Sequence, residues 1–190
     1  MAKTDDKIDK DSNKIAYDSL IDIHKHIFEQ LKYAETKNHI LLTFNLALII
    51  MFIRYFFMVE DKFYLFNWWY ITNLILLVIP IIFIFKAFFP NLNNSEIHKS
   101  NNVDKTNIYF FEHIKMLESS KYLELVLSSI SIKLDEITNK VQLLNLSNQI
   151  VVISEITSSK HLYYKKAFYY FVIAISFFIV SYILTIGALQ

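Results

Sequence analysis

Six histidines and 18 carboxylates are available for metal binding or acid–base work, but their spacing works against both. His24 and His26 are two apart, which on a helix points them about 200° apart, so they do not share a metal. No other His, Asp or Glu group has ligand spacing, and neither HExxH nor a paired His–Asp occurs. Serines are plentiful, yet none lies in a GxSxG elbow. Gly187 is the only glycine, which excludes a GxGxxG or a glycine-rich phosphate loop. We therefore expect a non-enzyme with no metal and no cofactor. Asn45, Asn73, Ser176, Ser181 and Thr185 are polar groups within long apolar runs. They either hydrogen-bond between helices or line an aqueous path when copies assemble.

Those apolar runs are the elements that must position everything else. After Lys165 and Lys166, residues 167–190 contain no ionisable side chain apart from tyrosines. At 1.5 Å per residue they form a helix of roughly 36 Å, enough to cross a hydrocarbon core of about 30 Å. A chain of 190 residues has little material to surround such a helix inside a soluble core. Residues 40–59, ILLTFNLALIIMFIRYFFMV, form another span. Stopping before Arg54 would leave only about 21 Å, so the span runs on to Val59 and Arg54 snorkels. Residues 67–86 form the third apolar run in the chain. Trp68, Trp69 and Tyr70 make an interfacial belt at its start, Lys86 snorkels at its end, and Pro80 is expected to kink it.

The expected organisation is a cytoplasmic arm (1–39), a first span (40–59), a short external loop (60–66), a second span (67–86), a cytoplasmic sensor region (87–166) and a last span (167–188). Lys25, Lys32, Lys37, Lys86, Lys99, Lys105, Lys160, Lys165 and Lys166 fall on one side, against Arg54 and Lys62 on the other. The positive-inside rule then places the N-terminus in the cytoplasm and the C-terminus outside. The charged opening MAKTDDKIDKDSNK is not a signal peptide. Zero cysteines fit a bacterial inner membrane. A net charge of +1, with no basic patch outside the spans, speaks against a nucleic-acid partner.

In the arm, Tyr17, Leu20, His24, Ile27, Leu31 and Ala34 follow 3-4 spacing, predicting a helix from about Lys14 that continues into the first span. Pro90 and the Asn-rich stretch after it read as a loop. Residues 107–116 are ambiguous between a short strand and the first turns of a helix. Helical period returns from Ser119 to Lys140 through Tyr122, Leu125, Val126, Ile130, Leu134 and Ile137. Ser147 could N-cap a last helix through Ile150, Ile153, Ile156 and Leu162 into the third span. The fold class is an all-α membrane protein: three transmembrane helices with a small, mostly helical cytoplasmic bundle. A core this modest gains from oligomerisation.

Four segments carry a resemblance: AETKNHI (34–40) before the first span, AFFP (87–90) closing the second, IYFFEHIKMLESSKYLELV (108–126), and ISEITSSKHLYYKKA (153–167) leading into the third. In order, spacing and topology the chain resembles the transmembrane effectors of Pycsar, the bacterial pyrimidine-cyclase antiphage system, over about residues 15–188. Members show an acidic-x-Lys-Ala motif before the first span, a Pro after the second, a Phe-Phe segment with a nearby Tyr, and an Ile-rich helix with Lys before the last. Asn38 stands where Ala is usual, Phe89 where Arg often precedes the Pro, and Glu112 where Gly often follows Phe-Phe.

The resemblance implies a ligand, cyclic CMP or cyclic UMP, made during infection by a partner cyclase encoded nearby. Binding would impair the inner membrane and cause abortive infection. Such a ligand needs a cation or backbone donors for its phosphate, an aromatic face for its base and a polar group for its ribose. Within the resembling segments Lys37, Phe111, His113, Tyr122 and Lys160 supply these groups. Each also has a bland reading: Lys37 and Lys160 as interface-anchoring lysines, Phe111 and Tyr122 as core, His113 as a solvated or core histidine. Glu35 either caps charge near the membrane or orients Lys37. Membrane lipid and further copies of the chain are the other expected partners. Two rivals remain at this point. One is a membrane effector gated by a cyclic di- or oligonucleotide, which would need more clustered cations. The other is a non-signalling scaffold that recruits a cytosolic partner through its amphipathic arm.

Overall fold

The computed structural model describes residues 2–59, 67–89, 107–134 and 137–189, with side chains for most of them. The expected external loop (60–66), Pro90 and the Asn-rich stretch lie outside the described residues, as do Lys62, Lys99 and Lys105. Among the described residues five helices follow in chain order: α1 (Ala2–Val59), α2 (Asn67–Phe88), α3 (Phe111–Ile114), α4 (Ser119–Ser129) and α5 (Lys140–Leu189). Among the described residues there is no strand. The length of α1 and α5 has a simple cause. Neither contains proline, and the only glycine, Gly187, falls in the last turn of α5, so nothing interrupts the hydrogen-bond ladder. Pro80 lies inside α2, which continues through it as one helix.

The chain divides into two compact units, Met1–Tyr33 with Asn91–Ser159, and Ala34–Pro90 with Lys160–Gln190. The first is a small helical bundle. Ala16, Leu20, Ile23 and Ile27 of α1 meet Ile114 and Leu117, Tyr122, Leu123, Val126 and Leu127 of α4, and Leu143, Ile150 and Val151 of α5. The expected face of α1 holds at Leu20, Ile27 and Ala34, while Ala16 and Ile23 take the buried places expected for Tyr17 and His24. Ala16 is fully buried and Tyr17 is exposed, because the small Ala16 methyl permits close approach to the core and the Tyr17 ring does not.

Two boundaries differ from the sequence reading. Helix α4 stops at Ser129, well short of Lys140. The Ser128 and Ser129 hydroxyls donate back to the Leu125 and Val126 carbonyls, and Ser131 then turns the chain at φ 58°. Helix α5 begins at Lys140, so Ser147 is an interior residue and not an N-cap. Its buried hydroxyl donates to the Ser119 carbonyl at 2.6 Å, while Ser119 Oγ donates to Asn148 Oδ1 at 3.0 Å. Together the two serines fasten the start of α4 to α5. The ambiguous stretch resolves as a turn at Asn107–Phe110 followed by the single turn of α3.

In the second unit, three helices are long and apolar enough to cross a membrane. Their packing fixes direction. Leu41, Ile84 and Ala167 cluster at one level, and Phe52, Leu77 and Ala174 at another, so α2 runs antiparallel to α1 and α5. Buried positions recur at 4-3 spacing on α2 (Asn73, Leu77, Pro80, Ile84, Ala87) and on α1 (Ala34, Asn38, Leu41, Asn45). On α5 the small residues Ala167 and Ala174, seven apart, let the helices approach closely. The outward faces carry Phe44, Ile50, Phe57, Ile75, Phe85, Val172 and Ile183, as expected where lipid is the neighbour.

Candidate functional site

In the first unit the chemistry gathers on the turn before α3 and the face of α5 opposite it. Asn107 organises the turn: its side-chain oxygen accepts the Tyr109 N–H at 2.9 Å, and its own N–H donates to His113 Nδ1 at 3.0 Å. Because Nδ1 is an acceptor, the neutral imidazole carries its proton on Nε2. Phe110 packs against both Phe111 and His113, with ring centroids 5.0 and 5.3 Å away. One turn on, Lys115 pairs with Glu112 at 2.5 Å and donates to Ser158 Oγ at 2.6 Å, while Ser158 donates to Glu112 Oε1 at 2.8 Å. This closed triangle ties α3 to α5. The Glu112–Lys115 spacing is visible in the sequence, but Ser158, more than forty residues on, gives no local signal that it completes the set.

Tyr122 is fully buried and its hydroxyl donates to the Ile108 carbonyl at 2.9 Å. Burial raises the phenol well above its usual range, with Tyr109 adding a smaller push in the same direction. Its ring is enclosed by the core, which leaves no face for a base to stack on. Phe111 and His113 are half-buried and share one cluster.

Lys37 and Lys160 belong to the second unit. Lys160 is only 7% exposed, and its ammonium donates to Glu35 Oε1 at 2.5 Å. It is a buried ion-pair partner and does not snorkel. Lys37 lies over the Tyr164 ring at 5.7 Å, and Glu35 pairs with Lys160, 125 residues away. Asn38, in the position where the resemblance leads one to expect Ala, is buried, and its Oδ1 accepts no hydrogen bond among the described residues. Within the spans, Asn45 Nδ2 donates to the Leu77 carbonyl at 2.8 Å and Asn73 Nδ2 to Ser181 Oγ at 3.0 Å. Ser176 donates to Val172 of its own helix. The Thr185 side chain lies outside the described residues. The five residues nominated from the resemblance thus divide, three to the first unit and two to the second. Among the described residues no three His, Cys, Asp or Glu side chains gather as a metal site would need.

Three membrane-length helices and a separate helical unit with its own apolar core and a part-buried polar triangle define a multi-pass membrane protein with a second folded part. The chain belongs to the family described as the Pycsar effector protein domain, PycTM, whose model matches residues 19–187. No curated protein and no solved structure matches it.

Proposed function

We propose that the protein is an antiphage defence effector that binds cyclic CMP or cyclic UMP during infection and then impairs the bacterial inner membrane, so that the infected cell stops before phage mature. The observation that carries this reading is the extent of the family match, which takes in all three apolar helices and almost all of the helical bundle. In this reading the chain is a receptor and not an enzyme, and the messenger comes from a pyrimidine nucleotide cyclase encoded nearby. The N-terminus and the bundle lie in the cytoplasm, where such a messenger is made, and the C-terminus lies in the periplasm.

Ligand bound by the helical bundle acts on the spans because α1 and α5 each supply chain to both units. A ligand shifts a conformational equilibrium only by its differential affinity for the two states. Moving it from 1:99 to 99:1 takes about 5.5 kcal/mol, more than one small mononucleotide supplies easily. Repeated sites in a homo-oligomer add their contributions. The test is a membrane-potential dye in cells expressing the protein, with and without each cyclic nucleotide. Depolarisation with one of them and not with cyclic AMP supports the reading; a flat trace with both sinks it.

A further inference from the structure

Within the first unit, the start of α5 and the outer part of α1 enclose an open cavity of about 250 Å³. Its walls are Asn13, Lys14 and Tyr17 from α1, and Asn139, Gln142 and Leu143 from the α5 end. None of the five residues nominated from the resemblance lines it. We infer that this cavity is the cyclic mononucleotide site, with Tyr17 stacking on the base, the Asn139 and Gln142 amides at its edge, and Lys14 meeting the phosphate. The assignment rests on the proposed function above, and it places that function's ligand.

The cavity is a built feature because its rim is fastened. Asn13 Nδ2 donates to Thr138 Oγ1 at 3.1 Å, and Asn13 Oδ1 accepts the Asn139 N–H at 3.4 Å, so one side chain ties α1 to the turn that opens α5. On α1, positions 13, 14 and 17 share a face, and 142 and 143 of α5 lie one turn beyond Asn139, the residue that precedes the helix. The chemistry matches a nucleotide with one phosphate. Leu143 forms a buried apolar floor, and Tyr17 is 39% exposed, an accessible flat ring beside it. Asn139 and Gln142 each present a donor and an acceptor on one amide, which suits the mixed Watson–Crick edge of cytosine or uracil. Lys14 makes no ion pair among the described residues, although Asp11 and Asp18 lie one turn to either side. Among the described residues no carboxylate lines the cavity. The Asn139 carbonyl accepts the Leu143 N–H, so the first-turn N–H groups of α5 begin here and add a positive end to the lysine. At about 250 Å³ the cavity has room to seat the base or phosphate end of one nucleotide, and its open side faces solvent.

The test is calorimetry on the full-length protein in nanodiscs, titrated with cyclic CMP, cyclic UMP and a cyclic dinucleotide. Tyr17→Ala should weaken mononucleotide binding about tenfold or more by removing the stacking face, and Tyr17→Phe should restore it. Lys14→Ala should weaken binding about tenfold and flatten its dependence on salt. Lys25→Ala, a cation elsewhere on α1, should change nothing. These are surface positions, so unchanged circular dichroism and melting will confirm the fold. If wild type binds a pyrimidine cyclic nucleotide and the Tyr17 and Lys14 variants bind it equally well, the site is elsewhere: the inference falls and the proposed function stands. If wild type binds only another nucleotide, and the variants lose it, the cavity is a site but the proposed function falls. If wild type binds no nucleotide, both fall.

Discussion

Removing Glu35 should destabilise the protein more than removing its partner. Lys160 keeps 9% of its side chain in contact with solvent and Glu35 keeps 41%, so the lysine depends on the pair far more than the carboxylate does. Breaking a fully buried pair costs about 3–5 kcal/mol. Partial hydration of Glu35 screens this one, which brings the expected loss for Glu35→Ala to about 2 kcal/mol. Lys160→Met replaces the ammonium by an apolar side chain of similar reach and leaves Glu35 free to face water, for a loss of about 1 kcal/mol or less. The double variant no longer holds an unpaired buried charge, so it should be more stable than Glu35→Ala alone. The assay is thermal unfolding of purified protein in nanodiscs, read as a double-mutant cycle. For a chain of this size a loss of about 2 kcal/mol lowers Tm by about 4–8 °C. Equal single losses that simply add in the double variant would refute the reasoning, because they would mean the two side chains do not share one desolvated site.

Asn38→Ala should stabilise the protein by about 1 kcal/mol, since it removes a buried carbonyl with no donor and adds a better helix former; a lower Tm would show that the amide has a partner. Asn73→Leu removes the interhelical bond to Ser181 and should cost about 0.6–1.7 kcal/mol, measured by unfolding in the same nanodiscs. Tyr122→Phe should cost about 1 kcal/mol by leaving the Ile108 carbonyl without its donor. The same tyrosine makes stability depend on alkali. Its folded-state pKa is raised, so above about pH 10 the unfolded chain gives up the proton first and stability falls with rising pH. Denaturant titrations from pH 8 to 11 should show that slope in wild type and a shallower one in Tyr122→Phe.

The long elements are legible in the sequence because their causes are local. A chain with one glycine and two prolines can only build long helices from its apolar runs, and the arm, the three spans and their continuity follow. Faces and ends are less legible. The 3-4 spacing puts Tyr17 on the buried side, yet packing places the smaller Ala16 there. Ser147 has the chemistry of an N-cap but bonds the backbone of a different helix, and Ser128 with Ser129 ends α4 through bonds that compete with the helix ladder. The site residues are the hardest to read. Glu35 lies two positions from Lys37 and is bonded to Lys160, a partner that only the tertiary fold supplies. Lys14 and Tyr17 carry no motif, and only the closure of α1 on the start of α5 brings them to Asn139 and Gln142.

If the protein impairs a membrane as proposed, the polar groups of its spans limit how it does so. Asn45 and Asn73 point inward, and each donates its amide to a neighbouring helix. The exposed hydroxyls of Thr43, Thr72 and Ser176 each donate to the carbonyl four residues earlier on their own helix. A hydroxyl bonded in this way can face lipid without leaving its donor unsatisfied. Among the described residues the three-helix unit therefore offers lipid a largely apolar exterior, with Arg54 as its exposed charge near one end, keeps its amides for its own packing, and shows no polar lane for ions. Conduction requires that Asn45 and Asn73 exchange these partners for water, or that copies assemble with their Thr43, Thr72 and Ser176 faces inward. The two routes separate by mutation. Asn45→Leu with Asn73→Leu abolishes depolarisation in the first route and spares it in the second, where Ser176→Leu abolishes it instead.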